Sequence, residues 1–312
     1  MRIVLAILLV LATPALADTR EVTDHAGRTV TIPADPQRIA ALGAKNVAVP
    51  LIELGIVPVA SQGSVLPDGT ELMRASKVTT GIDFDNSGIS FLGNFPIDIE
   101  AVALADPDLI ILPDWQDEVS LDQLEAIAPT IVYATDTPLH EAQAFFAEIT
   151  GTGARLRHNR IRYDAQVAQI RALVPEGTTV SYLHAFDGAL FSWHEYFHIG
   201  ALLRDAGLAF PDIIETIPDG EHARFSAERL QDFDADWLFI TYRTDQAQTP
   251  ADAVAAMETV LPSWCEVLTA CREGRVVYLP RAEVSTPSYD AAMAVAFAIV
   301  SHLSDPARQP TD

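Results

Sequence analysis

Ala154-Arg155-Leu156-Arg157-His158-Asn159-Arg160-Ile161-Arg162-Tyr163-Asp164-Ala165-Gln166-Val167-Ala168-Gln169-Ile170-Arg171-Ala172-Leu173-Val174 divides the chain into two stretches of similar rhythm. Leu156, Tyr163, Val167, Ile170 and Val174 recur at helical spacing, with Arg and His filling the other side. That pattern predicts one helix with a single apolar face. A helix over 154–174 would run ~30 Å, about the height of a small domain. Gly151 and Gly153 separate it from a preceding helix over Leu139–Ile149, and Pro175-Glu176-Gly177 follows it.

On either side, strand and helix signals alternate. Arg38-Ile39-Ala40-Ala41-Leu42 reads as a strand, followed by a helical stretch that stops at Gly55. Ile56 to Ala60 reads as a second strand, placed at an edge because Pro58 cannot donate to a ladder. Asp108-Leu109-Ile110-Ile111-Leu112 is a continuous apolar run of the kind a buried parallel strand shows. A helix over Leu121–Ile127 and a strand over Thr130–Ala134 follow. Beyond 175 the alternation resumes. Strands fall at Thr179–His184, Trp237–Tyr242 and Gly274–Leu279, and helices at Gly200–Asp205 and Asp290–Leu303. This βαβα rhythm predicts an α/β protein: two parallel-sheet units, 18–138 and 175–312, with a helical connection over 139–174.

The chain has 312 residues, 20 basic against 43 acidic, for a net charge of −23. Such an excess repels phosphate backbones and anionic lipid, which excludes nucleic acid as a partner. Residues 1–17 read as a signal peptide. Arg2 is the positive end, Ile3–Ala12 the apolar run, and Ala15-Leu16-Ala17 the cleavage site. With no Cys at that point, a soluble exported protein is expected rather than a lipoprotein. Cys265 and Cys271, the only two cysteines, are expected to pair in an oxidising compartment. Six helical steps would hold them ~9 Å apart, so a bridge requires the helix to end between them.

Four segments carry a resemblance. Thr31-Ile32-Pro33-Ala34-Asp35-Pro36-Gln37-Arg38-Ile39 and Ile99-Glu100-Ala101-Val102-Ala103-Leu104-Ala105-Asp106-Pro107-Asp108-Leu109-Ile110 lie in the first half. Phe225-Ser226-Ala227-Glu228-Arg229-Leu230 with Asp236–Ile240, and Trp264 with Gly274-Arg275-Val276-Val277-Tyr278, lie in the second. In this order they resemble the periplasmic binding proteins of iron–siderophore ABC importers. The resemblance implies two rigid Rossmann-like lobes joined by a single long backbone helix, with the ligand in the cleft between them. It implies a non-enzymatic, monomeric periplasmic receptor that needs no cofactor and takes a ferric siderophore as cargo. It also implies delivery to the ABC permease dimer of the inner membrane, with Glu100 and Glu228 as docking residues, one per lobe. Cobalamin or haem binding on the same fold is the alternative ligand. Where relatives place a polar clamp before the first glutamate, this chain has Phe91-Leu92-Gly93-Asn94-Phe95-Pro96. Catecholate, hydroxamate and carboxylate siderophores all stay open.

The residues themselves point to a cleft. Ligands of open α/β sheets bind beyond the carboxyl ends of the strands. There the sequence places Trp115, then Trp193, Tyr196 and His198, then Tyr242 and Arg243, then Arg281. Rings suit a chelate's organic shell and guanidinium forks suit its anionic oxygens. Arg224 and His222, just before Phe225-Ser226, join the candidates, and direct iron contact by His198 or His222 is a further option. One motif points elsewhere. His194-Glu195-Tyr196-Phe197-His198 matches H-E-x-x-H, which on a helix would hold zinc for hydrolysis, with Glu215 as a third ligand. Other catalytic signatures (G-x-S-x-G, a P-loop, C-x-x-C) are missing from the sequence.

Overall fold

The computed structural model describes residues 18–116, 118–195 and 198–303. Residues 1–17, Tyr196 and Phe197 lie outside them, and with them the signal peptide and one of the candidate ligand contacts.

The first lobe opens with an antiparallel hairpin, β1 (Thr19–Thr23) and β2 (Thr29–Pro33). Strand β3 (Ile39–Ala41) follows, then β4 (Ala60–Ser61), and then a small hairpin of β5 (Ser64–Val65) and β6 (Glu71–Leu72). Strands β7 (Ser90–Phe91), β8 (Leu109–Pro113) and β9 (Thr130–Tyr133) complete a parallel sheet in the order β7-β4-β3-β8-β9. The apolar run of β8 is explained by burial on both faces. Leu109 and Ile111 enter one core cluster with Ile39, Ala41 and Ile131, while Ile110 and Leu112 enter another with Ala40 and Leu42. The expected edge strand at Ile56–Ala60 is corrected. The ladder begins at Ala60, between β3 and β7, and Pro58 stays outside it, where its missing N–H costs nothing.

A helix over Leu139–Thr150 ends at Gly151 in the left-handed region, and a helix over Gly153–Leu173 spans 21 residues. Gly153 thus begins this helix rather than breaking the chain before it. Tyr163, Val167 and Ile170 are buried against the second lobe's core, and the final helix, Tyr289–Leu303, packs along it.

In the second lobe, β10 (Val180–Phe186), β11 (Ala189–Trp193), β12 (His222–Phe225), β13 (Trp237–Tyr242) and β14 (Val276–Pro280) form a sheet ordered β12-β11-β10-β13-β14. Only half of it is parallel. β10, β13 and β14 run together, whereas β11 and β12 add antiparallel strands that the alternation does not predict. The β10–β11 turn is Asp187-Gly188, with φ of 49° and 65°. Those are the positive values a two-residue type I′ hairpin requires, and Asp-Gly is its preferred pair. Cys265 and Cys271 are bridged, with Cα atoms 5.0 Å apart. The helix does end between them, at Leu268.

Candidate ligand site

The carboxyl ends of the parallel strands of both lobes converge on two adjoining cavities. The first, about 450 Å³, takes Gln62 from beyond β4, Asn94 and Phe95 from beyond β7, and Trp115 from beyond β8. Arg74, in the loop after β6, lines it from the same lobe, and Arg243 and Asp245 close it from beyond β13. The second, about 300 Å³, is lined by His184, Phe186, Phe191, Trp193, His222, Arg243 and Arg281. Arg243 belongs to both.

Alternation along antiparallel strands explains the second wall. His184 pairs with Phe191 across β10–β11, and Trp193 with His222 across β11–β12. These residues therefore share one face of the sheet. His222 stacks on Trp193 at 5.7 Å between ring centroids, and the Arg281 guanidinium, directly after β14 at the far edge of the sheet, lies 5.1 Å from the Trp193 ring centroid. The hairpin is thus an aromatic platform with arginines at its margin.

The charges meet at the join of the two cavities. Arg243 donates from Nε and Nη2 to Asp245, at 3.3 and 2.7 Å, and Arg74 of the first lobe reaches the same carboxylate at 3.4 Å. Lys45 Nζ donates to Ser285 Oγ at 2.9 Å, also between lobes. Burial, then the nearby Arg74 and Arg281, push the Lys45 ammonium well below its ordinary value. Burial raises Glu283, whose carboxylate accepts from Thr244. Asp245 is lowered: burial opposes its charge, but the Arg243 hydrogen bonds and the Arg74 charge prevail. His184 is pushed down to about 4 by burial and then Arg281, so its imidazole is neutral at pH 7. Its Nε2 has no hydrogen-bond partner among the described residues.

Trp115, Trp193, Arg243 and Arg281, named from strand ends, are brought together at the two cavities, and His222 joins them from the start of β12. Three other candidates lie outside the linings of both cavities. Arg224 is exposed on the edge strand β12 opposite Phe191, on the same face as the platform. Tyr242 packs partly buried against the second lobe's core. His198 is 5% exposed beside a small crevice with Asp136, and burial pushes its imidazole down to about 3. Strand-end reasoning passes over Phe186, Phe191 and His184, which lie within strands, although Phe186-Asp187-Gly188-Ala189 carries the hairpin signal that would place them.

The H-E-x-x-H motif is not a zinc helix. His194 sits in the loop after β11, its Nδ1 beside the Ile217 carbonyl at 2.8 Å and its Nε2 3.1 Å from Asp219. His198 is the first residue of its helix, so the two do not share a helical face. Glu215 is paired with Arg204. Gly200 has a packing reason of its own: a Cβ there would run into the Glu195 carbonyl. Among the described residues no group of three His, Cys, Asp or Glu side chains is placed to hold a metal ion.

Residues 66–283 match the model of a family described as periplasmic binding protein. The chain belongs to that family. It is a substrate-binding protein and not an enzyme. The "Probable siderophore-binding lipoprotein YfiY" of Bacillus subtilis is 27% identical over 244 residues, covering 74% of this chain and 71% of that protein. The iron(3+)-hydroxamate-binding protein YxeB of the same organism is 27% identical over 157 residues, 47% of this chain and 48% of that one. Among solved structures, Staphylococcus aureus SirA complexed with staphyloferrin B superposes with a TM-score of 0.75 at 18% identity, covering 91% of this binding protein and 98% of SirA. Two α/β lobes on a backbone helix are therefore this binding protein's fold as well as its sequence pattern.

Proposed function

We propose that this binding protein captures a ferric siderophore in the cleft between its lobes, 18–138 and 175–312, and delivers it to the ABC permease dimer of the inner membrane. The observation that carries this reading is the meeting of Arg74, Arg243 and Arg281 with the Trp193–His222 platform, at one junction of two cavities. A flat aromatic wall accepts a chelate's organic shell, and guanidinium groups accept its anionic oxygens. The named ligands of the relatives, a siderophore and an iron(3+)-hydroxamate, support the same chemistry.

Export as a soluble, monomeric periplasmic protein completes the proposal. The Cys265–Cys271 disulfide suits an oxidising compartment outside the cytoplasm. Glu100 and Glu228 are exposed, one in each lobe, and serve as permease contacts. The test is quenching of tryptophan fluorescence on titration with ferric chelates, since Trp115 and Trp193 both line the cleft. Saturable quenching by a ferric chelate and not by the iron-free ligand, cobalamin or haem is expected. Saturation by cobalamin or haem alone overturns the reading.

A further inference from the structure

Asp245 is an anion built into a site that otherwise collects cations. Its side chain is 7% exposed, and it engages the Nε/Nη2 edge of Arg243 while Arg74 reaches it from the opposite lobe. A guanidinium has two usable forks, and this contact occupies one of them, leaving the Nη1/Nη2 edge of Arg243 for a ligand. The Arg74–Asp245 contact also lies at the boundary of two spaces: both residues line the 450 Å³ cleft and a neighbouring cavity of about 250 Å³.

We propose that Asp245 sets the charge of the chelate this site accepts, by cancelling one of its three guanidinium charges and fixing the edge that Arg243 presents. This rests on the ferric-siderophore reading and deepens it. Arg74, Arg243 and Arg281 against Asp245 leave the site with two net positive charges. Lys45 and Glu283, one of each sign, cancel whether both are charged or both neutral, and their opposed shifts (Lys45 down, Glu283 up) follow from shared burial. A partly buried site exceeds its guest's charge only at a desolvation cost, so a matched guest is favoured over a neutral or more highly charged one.

The experiment is fluorescence titration of the full mature chain with two hexadentate ferric chelates, ferric enterobactin (a trianion) and ferrichrome (neutral). Asp245→Asn raises the site's positive charge and frees the second fork. It is expected to increase the affinity for the trianion relative to the neutral chelate by at least tenfold, since one unit charge acting on a single anionic charge roughly 10 Å away at an effective dielectric near 20 already gives about that factor and the trianion carries three. Arg74→Gln lowers the site's charge and is expected to move the same ratio the other way. If Asp245→Asn fails to fold, the Arg74→Gln ratio decides. A uniform loss of affinity with an unchanged ratio would mean that Asp245 merely tethers Arg243, and overturns the inference. Binding of neither chelate nor of any other ferric chelate by the folded wild-type protein overturns the ferric-siderophore reading itself, a result distinguishable because it is read before any variant.

Discussion

Arg243 is the residue that joins the two cavities, because it lines both and follows a strand buried along all but its last residue. Arg243→Ala is expected to weaken binding of an anionic ferric chelate by about 1.5–3 kcal/mol, the range of a hydrogen bond to a charged group. Thermal unfolding should move little, since the side chain lies outside the apolar core clusters. Equal affinity of variant and wild type in fluorescence titration would remove Arg243 from the site. Its place in the cavity lining is legible in the sequence because an arginine directly after an apolar strand has a predictable position, and the same holds for Arg281 and Trp115. Arg74 is not legible. It lies in a loop whose position comes from tertiary packing, and nothing in Leu72-Met73-Arg74-Ala75 says that it reaches across to Asp245.

Elements show the same division between local signals and those set at a distance. The backbone helix and the long parallel strands are readable because periodicity and unbroken apolar runs are local properties. The two-residue strands β4 and β7 are too short to carry a period, and β11–β12 are antiparallel additions to a sheet whose other members run parallel. The element that couples the lobes is equally hidden. Glu53, buried at the end of a first-lobe helix over Val49–Glu53, accepts from the Tyr289 and Asp290 N–H groups at the start of the final helix and from the Gln143 side chain, all at 2.9–3.0 Å. A carboxylate at a helix N-terminus is favoured by the dipole. Burial and then the neighbouring Asp290 charge nevertheless outweigh those donors and push Glu53 up to about 7 from 4.5. The folded state therefore holds this proton more tightly than the unfolded chain. Its contribution to stability is complete below about pH 4.5 and is lost as pH rises through about 7, a change on the order of 3 kcal/mol. Urea unfolding at a series of pH values should show this decline in the wild-type protein, and Glu53→Gln should flatten it. Parallel profiles for the two proteins would remove Glu53 as the titrating group.

At the scale of the whole molecule, a chain of net charge −23 surrounds a cleft of net positive charge. Salt screens the outer charges over ~8 Å, so the chelate meets the cleft's own arginines at close range, while the acidic surface is left for a larger partner. Glu100 and Glu228 fit that second task better than a role in helix initiation. The N–H groups of Glu100 and Ala101 are already capped by Asp98, so the Glu100 carboxylate is surplus to the helix start. Glu228 opens a 3₁₀ segment over Ala227–Phe233 and, like Glu100, has no ion-pair partner among the described residues. In the proposed docking, one exposed charge on each lobe would fix how the cleft sits over a translocation path, whereas a single charge would let the protein pivot. Glu100→Ala and Glu228→Ala are each expected to leave chelate affinity within about twofold of wild type, because neither residue lines the cleft. Each should lower iron uptake, and the double variant should lower it most, since a lost rim charge slows association and the pair provides both anchors. Uptake in cells, measured beside chelate titration of the purified variants, reads the two effects separately. Normal uptake by the double variant would return both glutamates to ordinary surface positions. Loss of chelate binding in either single variant would place that residue in the cleft instead, and the assignment of the lobes' outer faces to the permease would fall with it.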